Sequence, residues 1–307
     1  MKKLLTIAIA AAIAAPMAVS ADTTIYGRIN TAVVHGSTGA GDEWDVEGNA
    51  SRFGVKGSED LGNGLKAIFQ YEWGVDSADS GDFSGRLAYA GLTGGFGTVA
   101  LGRQWTPYYG SVDKTDIFQV VGINDHYLGV TRVGNTLAYV SPDFNGLSAK
   151  VALIMADETP FSLSSPNTGE DGIDVYNVSV DYNNGPLSVG VSYLGFEGAL
   201  DSELVGIGAK YNFGNFAIIG QYEDFSAPVS ALDSDSWGLA AEAYFGNNTV
   251  RAMFGQAEVA GVDFDTWAVG VEHAFSKRTR VFAEYEDSEL NAATDDDRFG
   301  VGIRHDF

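Results

Sequence analysis

The chain contains no cysteine, so neither a disulfide framework nor a thiolate nucleophile is available to it. Proline is scarce at 7 residues, and after residue 21 no apolar run approaches the roughly 20 residues a spanning helix needs. Basic residues are few: 18 Lys and Arg stand against 41 Asp and Glu. Nucleic acid is therefore excluded as a partner class, because phosphate binding requires a basic face. The four histidines, His35, His126, His273 and His305, fall in no catalytic motif, and there is no Gly-x-Ser-x-Gly elbow. A hydrolase would need a nucleophile and its base placed together; no enzyme activity is expected.

What the chain has is glycine (39), tyrosine (14) and phenylalanine (18), arranged in short alternating runs. Leu65, Ala67, Phe69, Tyr71 and Trp73 alternate with Lys66, Gln70 and Glu72. Leu187, Val189, Val191 and Tyr193 alternate with small polar residues, and Val281, Ala283 and Tyr285 alternate with Arg280, Glu284 and Glu286. A period of two with one apolar face is a strand between two different environments. A β-sandwich alternates equally well. The last segment argues otherwise. Phe299, Val301, Ile303 and Phe307 line one face and Arg298, Arg304 and Asp306 the other, with an aromatic at the end. A barrel in lipid must pair its final strand with its first, because an open edge cannot exist there.

At the other end, Lys2 and Lys3 precede the apolar run Leu4 to Ala15, then Pro16 and the small residues Val19-Ser20-Ala21. This is a secretory signal pattern with cleavage expected after Ala21. Loss of Lys2 and Lys3 takes the formal charge from −23 to −25. The single domain expected is 22–307, and its location the outer membrane, reached through the periplasm.

Between these ends, tight turns alternate with longer polar connections. Gly and Asn mark seven turns, from Ser58–Gly64 to Phe275–Arg278. Acidic loops are expected around Asp42–Glu47, Asp76–Asp82, Asp157–Asp171, Glu197–Glu203, Glu223–Asp235, Glu258–Asp265 and Asp287–Asp297, and one much longer loop over 104–133. Seven turns and eight loops make an all-β, transmembrane antiparallel β-barrel of about 16 strands, with both termini on the short-turn side. Sixteen strands enclose an aqueous channel rather than a packed core.

The opening Asp22-Thr23-Thr24-Ile25-Tyr26-Gly27-Arg28 resembles that of Gram-negative general porins of the neisserial and burkholderial type. So do Ser51-Arg52-Phe53-Gly54-Val55-Lys56-Gly57-Ser58-Glu59-Asp60-Leu61-Gly62-Asn63-Gly64 and Phe96-Gly97-Thr98-Val99-Ala100-Leu101-Gly102-Arg103-Gln104, and the terminal Val301-Gly302-Ile303-Arg304-His305-Asp306-Phe307. The resemblance implies a homotrimeric channel for passive diffusion, with an inward-folded third loop as its constriction. It also implies that barrel-assembly machinery reads the terminal strand ending in Phe307.

In such a pore, Asp113, Asp116 and Asp125 with Lys114 would lie on the constriction loop. With apolar residues toward lipid, parity turns Arg28, Arg52, Lys56, Lys66 and Arg86 inward as a basic wall. Acids opposite bases would set a transverse field, and charge rings set ion preference. The solutes expected are small and hydrophilic, and the acidic charge suggests a mild cation preference. No cofactor is expected. The acidic loops admit three readings: a cation-concentrating vestibule, divalent-cation sites bridging to lipopolysaccharide, or a solvated charged surface.

Overall fold

The computed structural model describes residues 22–38, 41–121, 126–155, 172–197, 201–290 and 294–307. The leader, 1–21, and Asp125 lie outside them. Eighteen strand segments form one sheet. They are β1 (Asp22–Thr38), β2 (Gly41–Gly48), β3 (Arg52–Gly62), β4 (Leu65–Val75), β5 (Phe83–Gly94), β6 (Gly97–Trp105), β7 (Arg132–Val133), β8 (Thr136–Val140) and β9 (Leu147–Ile154) in the first half. The second half holds β10 (Val175–Asn184), β11 (Leu187–Phe196), β12 (Ser202–Asn212), β13 (Phe216–Ser226), β14 (Ser234–Phe245), β15 (Asn248–Val259), β16 (Val262–Ala274), β17 (Thr279–Leu290) and β18 (Thr294–Asp306). No described helix is long and apolar enough to cross a membrane.

The eighteen segments make sixteen wall strands. β2 and β3 both pair with β1, β2 along Thr31–Thr38 and β3 along Asp22–Arg28. They are one wall strand interrupted where Ala50 takes a φ of 51°. β7 and β8 likewise both pair with β6, interrupted where Asn135 takes a φ of 49°. All pairings are antiparallel, and β18 returns to β1 in the register Arg28↔Asp306 to Ser37↔Asp297. Gly27 and Phe307 complete the seam with two backbone hydrogen bonds of 3.0 Å. The ring is closed, so no edge strand is left to satisfy.

The two faces follow the alternation. Ile25, Ile29 and Val33 are 48–63 % exposed, whereas Asn30, Ala32 and Val34 between them are buried. Aromatics mark the short-turn end of the outer face at Phe96, Phe144, Phe213, Phe245 and Phe275, all of them exposed. Tyr71 stacks on Trp73 at 5.9 Å toward the other end. These are interfacial girdles, where amphipathic rings settle between hydrocarbon and water.

Three of the segments expected as acidic loops are largely strand. Asp42–Glu47 lies in β2, and Glu258–Asp265 spans β15 and β16 around the two-residue turn Ala260–Gly261. Asp287–Asp297 falls in β17 and β18, apart from 291–293, which lie outside the described residues. The hairpins continue past the apolar band. There both faces meet water, so the polar sequence no longer alternates although the ladder does.

Candidate functional site: an arginine-lined opening beside the long segment

The longest connection leaves β6 and begins with the short helix α1 (Pro107–Val112). Thr106 caps it by accepting from the Tyr109 amide at 3.0 Å, and proline occupies the first turn, where its missing N–H costs nothing. The segment lies against the polar face of the wall. At Gly208 a Cβ would collide with the Val112 carbonyl, so only glycine allows this approach.

Irregular backbone away from water needs partners for its amides. Side chains of the wall provide them. Asn177 Oδ1 accepts from Tyr108 N at 2.7 Å, and Gln221 Oε1 accepts from Lys114 N and Thr115 N at 3.1 and 3.2 Å. Glu284 takes Gln119 N and Val120 N, both at 2.9 Å. Two more bonds come from loop side chains, Ser111 to Asp181 at 2.9 Å and Tyr108 to Glu223 at 3.1 Å. An apolar cluster adds to this: Phe118, Val120 and Val121 pack on Val34, Ile219, Met253 and Phe282. These wall residues are apolar yet face away from lipid, a use that the outward-apolar rule does not foresee.

Opposite the pinned segment, the alternation of β1, β3, β4 and β18 places bases together. Arg28 and Arg52 are direct cross-strand partners, as are Asn30 and Arg304. A register shift between Glu72 and Trp73 lets β5 turn Arg86 toward the same side. Like charges face to face destabilise a sheet unless acids intervene. Buried Glu72 receives Arg86 Nε at 2.7 Å, the Tyr26 hydroxyl at 2.9 Å and Arg52 Nη1 at 3.9 Å. Asp306 receives Arg28 at 2.7 Å, Arg304 at 3.2 Å and Arg280 at 3.7 Å.

Between wall and segment lies a cavity of about 440 Å³, lined by Arg28, Arg52, Arg86, Arg132 and Arg304 together with Asp116, Trp105 and Tyr109. Arg132 sits over the Trp105 ring at 4.7 Å and Arg86 at 5.6 Å. Such aromatic contacts hold guanidinium groups in place without neutralising them.

The expected site residues are thus divided. Arg28, Arg52, Arg86 and Asp116 come together. Lys56 stands apart over the Tyr26 ring at 5.2 Å, and Lys66 is exposed opposite Asp60 beside the short turn. Lys114 Nζ turns back to the Gly110 carbonyl at 2.8 Å, away from the opening. Asp113 is half-buried and does not line the cavity; its Oδ2 has no hydrogen-bond partner among the described residues. Burial, with Asp116 close by, pushes the Asp113 carboxyl up to about 7. Two lining residues, Arg132 and Arg304, were not among those assigned to the wall. Arg304 was findable, since it shares the water-facing parity of β18. Arg132 was not, since its place depends on how the long segment returns to β7. Among the described residues no three His, Asp or Glu side chains are grouped to hold a metal ion.

The chain matches the family model of the Gram-negative porins over residues 6–293. It is 31 % identical over 342 residues to the major outer membrane protein P.IB of Neisseria meningitidis serogroup B strain H44/76, covering 96 % of this chain and 97 % of that one. It is 29 % identical to outer membrane porin protein 32 of Delftia acidovorans, over 92 % and 87 % of the two chains. Among solved structures, the anion-selective porin from Comamonas acidovorans superposes with a TM-score of 0.79 at 24 % identity, over 94 % of this chain and all of that one. The trimer form of OmpT from Vibrio cholerae gives 0.71 at 17 % identity, over 94 % and 99 %. A closed sixteen-strand barrel with lipid-facing girdles and kinship along nearly its whole length place this chain in the Gram-negative porin family, the channel-forming barrels of the outer membrane.

Proposed function

We propose that this porin passes small hydrophilic solutes and ions by passive diffusion, with residues 106–121 and the arginines opposite them as its constriction, and that it prefers anions. The observation that carries the reading is the lining of the 440 Å³ cavity. Five guanidinium groups there face only three carboxylates, Asp116 and the shared counter-ions Glu72 and Asp306. Asp113, raised to about 7 and outside the cavity lining, is only partly ionised at neutral pH.

This departs from the mild cation preference that the charge of −25, counted without Lys2 and Lys3, suggests. Net charge counts acids on the long-loop side of the barrel. A Debye length of about 8 Å at physiological salt screens them from the constriction. At the constriction an ion passes within a few ångströms of the arginines, where one unit charge is worth about 1 kcal/mol even in bulk-like water. The relative from Comamonas acidovorans, described as anion-selective, is consistent with the same balance. A homotrimeric assembly is part of this proposal, supported by the trimer form of the OmpT neighbour. So is recognition of the terminal strand by barrel-assembly machinery, supported by the place of Phe307 at the seam.

The test is a reversal potential across a planar bilayer in a potassium chloride gradient. The sign of chloride preference is expected. A potassium-selective potential at physiological salt would overturn the reading.

A further inference from the structure

One histidine of the long segment rests on bare backbone of the wall. Gly238 on β14 and Gly255 on β15 are direct cross-strand partners, both buried at inward positions. A glycine in mid-strand packs nothing of its own and often marks a close approach. Here the His126 ring makes the approach. A Cβ at Gly255 would stand 2.5 Å from His126 Cε1 and 2.6 Å from Nδ1, and one at Gly238 would stand 2.6 Å from Nε2. Neither glycine takes a left-handed φ, so the backbone itself would accept alanine. At Gly255 the three atoms nearest to such a Cβ all belong to the ring. The pair is a slot for an imidazole.

The slot suits the neutral ring only. The Thr115 hydroxyl donates to Gln221 Oε1 at 2.8 Å, which leaves it to accept from His126 Nε2 at 3.5 Å. Nδ1 is buried and has no hydrogen-bond partner among the described residues. A proton there would bury a charge and an unmatched N–H together. The inward neighbours of the glycine pair are Gln221, Ser236, Ala240, Met253, Ala257 and Thr266, all uncharged. Glu223 on β13 and Glu286 on β17 lie one inward row off. Glu242 and Arg251, two rows off, pair with each other at 3.3 Å. On the segment itself, Lys114 turns to the Gly110 carbonyl and Asp116 lines the opening. Burial pushes the His126 ring down to about 4 from its ordinary 6.5.

We propose that His126 is a positioning residue for the constriction: its neutral ring, seated on Gly238 and Gly255, clasps the long segment to the wall, and protonation opens the clasp and lets the segment fluctuate in the opening. This rests on the proposed role of residues 106–121 as the constriction. A chain fastened to the inside of a closed wall can leave it only toward the lumen. Thr115 carries the effect, since its amide and hydroxyl both meet Gln221 while its oxygen meets the ring. The sign follows from the depressed proton affinity. The clasp is fully engaged above about pH 6.5 and weakens as pH falls toward 4, and over that interval the released population can rise by up to about 300-fold, the ratio of the two affinities. Asp113 titrates higher, near 7, so its response is separable.

Two measurements on the folded full-length protein test it. The first is a pH titration of the histidine ring resonances by NMR, with His126 identified as the signal missing from His126→Ala. A midpoint well below 6.5 is expected; one at or above 6.5 would overturn the clasp. The second is open-channel current noise in a planar bilayer, which should rise at least about tenfold between pH 6.5 and 4, well inside the ceiling set by the two affinities. Gly255→Ala, which displaces the ring and changes no titrating group, should be noisy already at pH 7. His126→Phe keeps a ring that gains no proton, and its noise should no longer depend on pH. Asp125→Asn, next in the chain, should keep the wild-type response. Persistence of the acid response in His126→Phe, its loss in Asp125→Asn, or a quiet Gly255→Ala channel would overturn the proposal. A low ring midpoint with current indifferent to pH in every variant would instead overturn the constriction reading, because the clasp would then open without reaching the path of ions.

Discussion

The two sides of the lumen use the same alternation to different ends. On β1, β3, β4 and β18 the inward positions carry Arg28, Arg52 and Arg304, and the acids among them, Glu72 and Asp306, are counter-ions. On β10, β13 and β17 the inward positions carry Asn177, Asp181, Gln221, Glu223 and Glu284, and these accept hydrogen bonds from the long segment. A carboxylate's role is therefore set by what stands across from it. Facing guanidinium groups it balances charge and leaves a net positive field in the opening. Facing backbone amides it fastens a chain and is itself removed from the opening. The bases are left free to act on solutes because the other half of the wall binds the loop.

The largest expected effect comes from unfastening the covered half. Glu284→Ala leaves two buried amides, those of Gln119 and Val120, without an acceptor, at about 1–3 kcal/mol each. Thermal stability should fall and single-channel conductance should rise and become noisier. A variant with wild-type conductance and melting would mean that the apolar contacts of Phe118 and Val121 suffice. On the open half, Arg52→Glu exchanges two units of charge at the cavity wall. It should lower the anion-to-cation permeability ratio by at least about fivefold, the effect of 1 kcal/mol at close range in water. An unchanged reversal potential would place the selective charge elsewhere.

A smaller effect should come from pH. With its carboxyl near 7, Asp113 takes up a proton between pH 8 and 6, and the side of the loop facing Tyr109, Asp116 and Lys114 loses negative charge. Anion preference should increase on acidification, and Asp113→Asn should remove that part of the pH response. The linked stability has a definite sign. The native carboxyl binds its proton more tightly than the unfolded one, whose value is about 3.9, so the Asp113 contribution is most favourable below that pH and is lost as pH rises toward 7. Melting temperatures of wild type and Asp113→Asn should diverge over that window. The smallest effect belongs to Lys66→Ala. Opposite Asp60 and beside the turn, Lys66 should leave reversal potential and conductance unchanged.

The barrel was legible because lipid imposes a one-sided rule on every strand it touches. The seam at Phe307, the hairpin asymmetry and the inward turn of Arg28, Arg52 and Arg86 all follow from that rule. It fails where lipid is absent. Above the apolar band, Asp42–Glu47 and Glu258–Asp265 read as loops, because a wet strand needs no alternation. Inside the barrel, Val34, Ile219 and Phe282 read as misplaced apolar residues until Phe118 and Val121 are seen against them. The acids of the long segment could not be sorted by spacing. Asp116 reaches the opening and Asp113 does not, because Gln221 holds the neighbouring amides of Lys114 and Thr115 and fixes which way the chain turns.

The manner of attachment bears on how such a protein can change over time. Tyr108, Lys114, Thr115, Gln119 and Val120 are all gripped through their amide nitrogens. An amide is the same whatever residue bears it. Mutations that replace the solvent-facing side chains between these points leave the amide bonds in place, so a lineage can try new chemistries beside the opening while the barrel and the course of the loop are inherited unaltered.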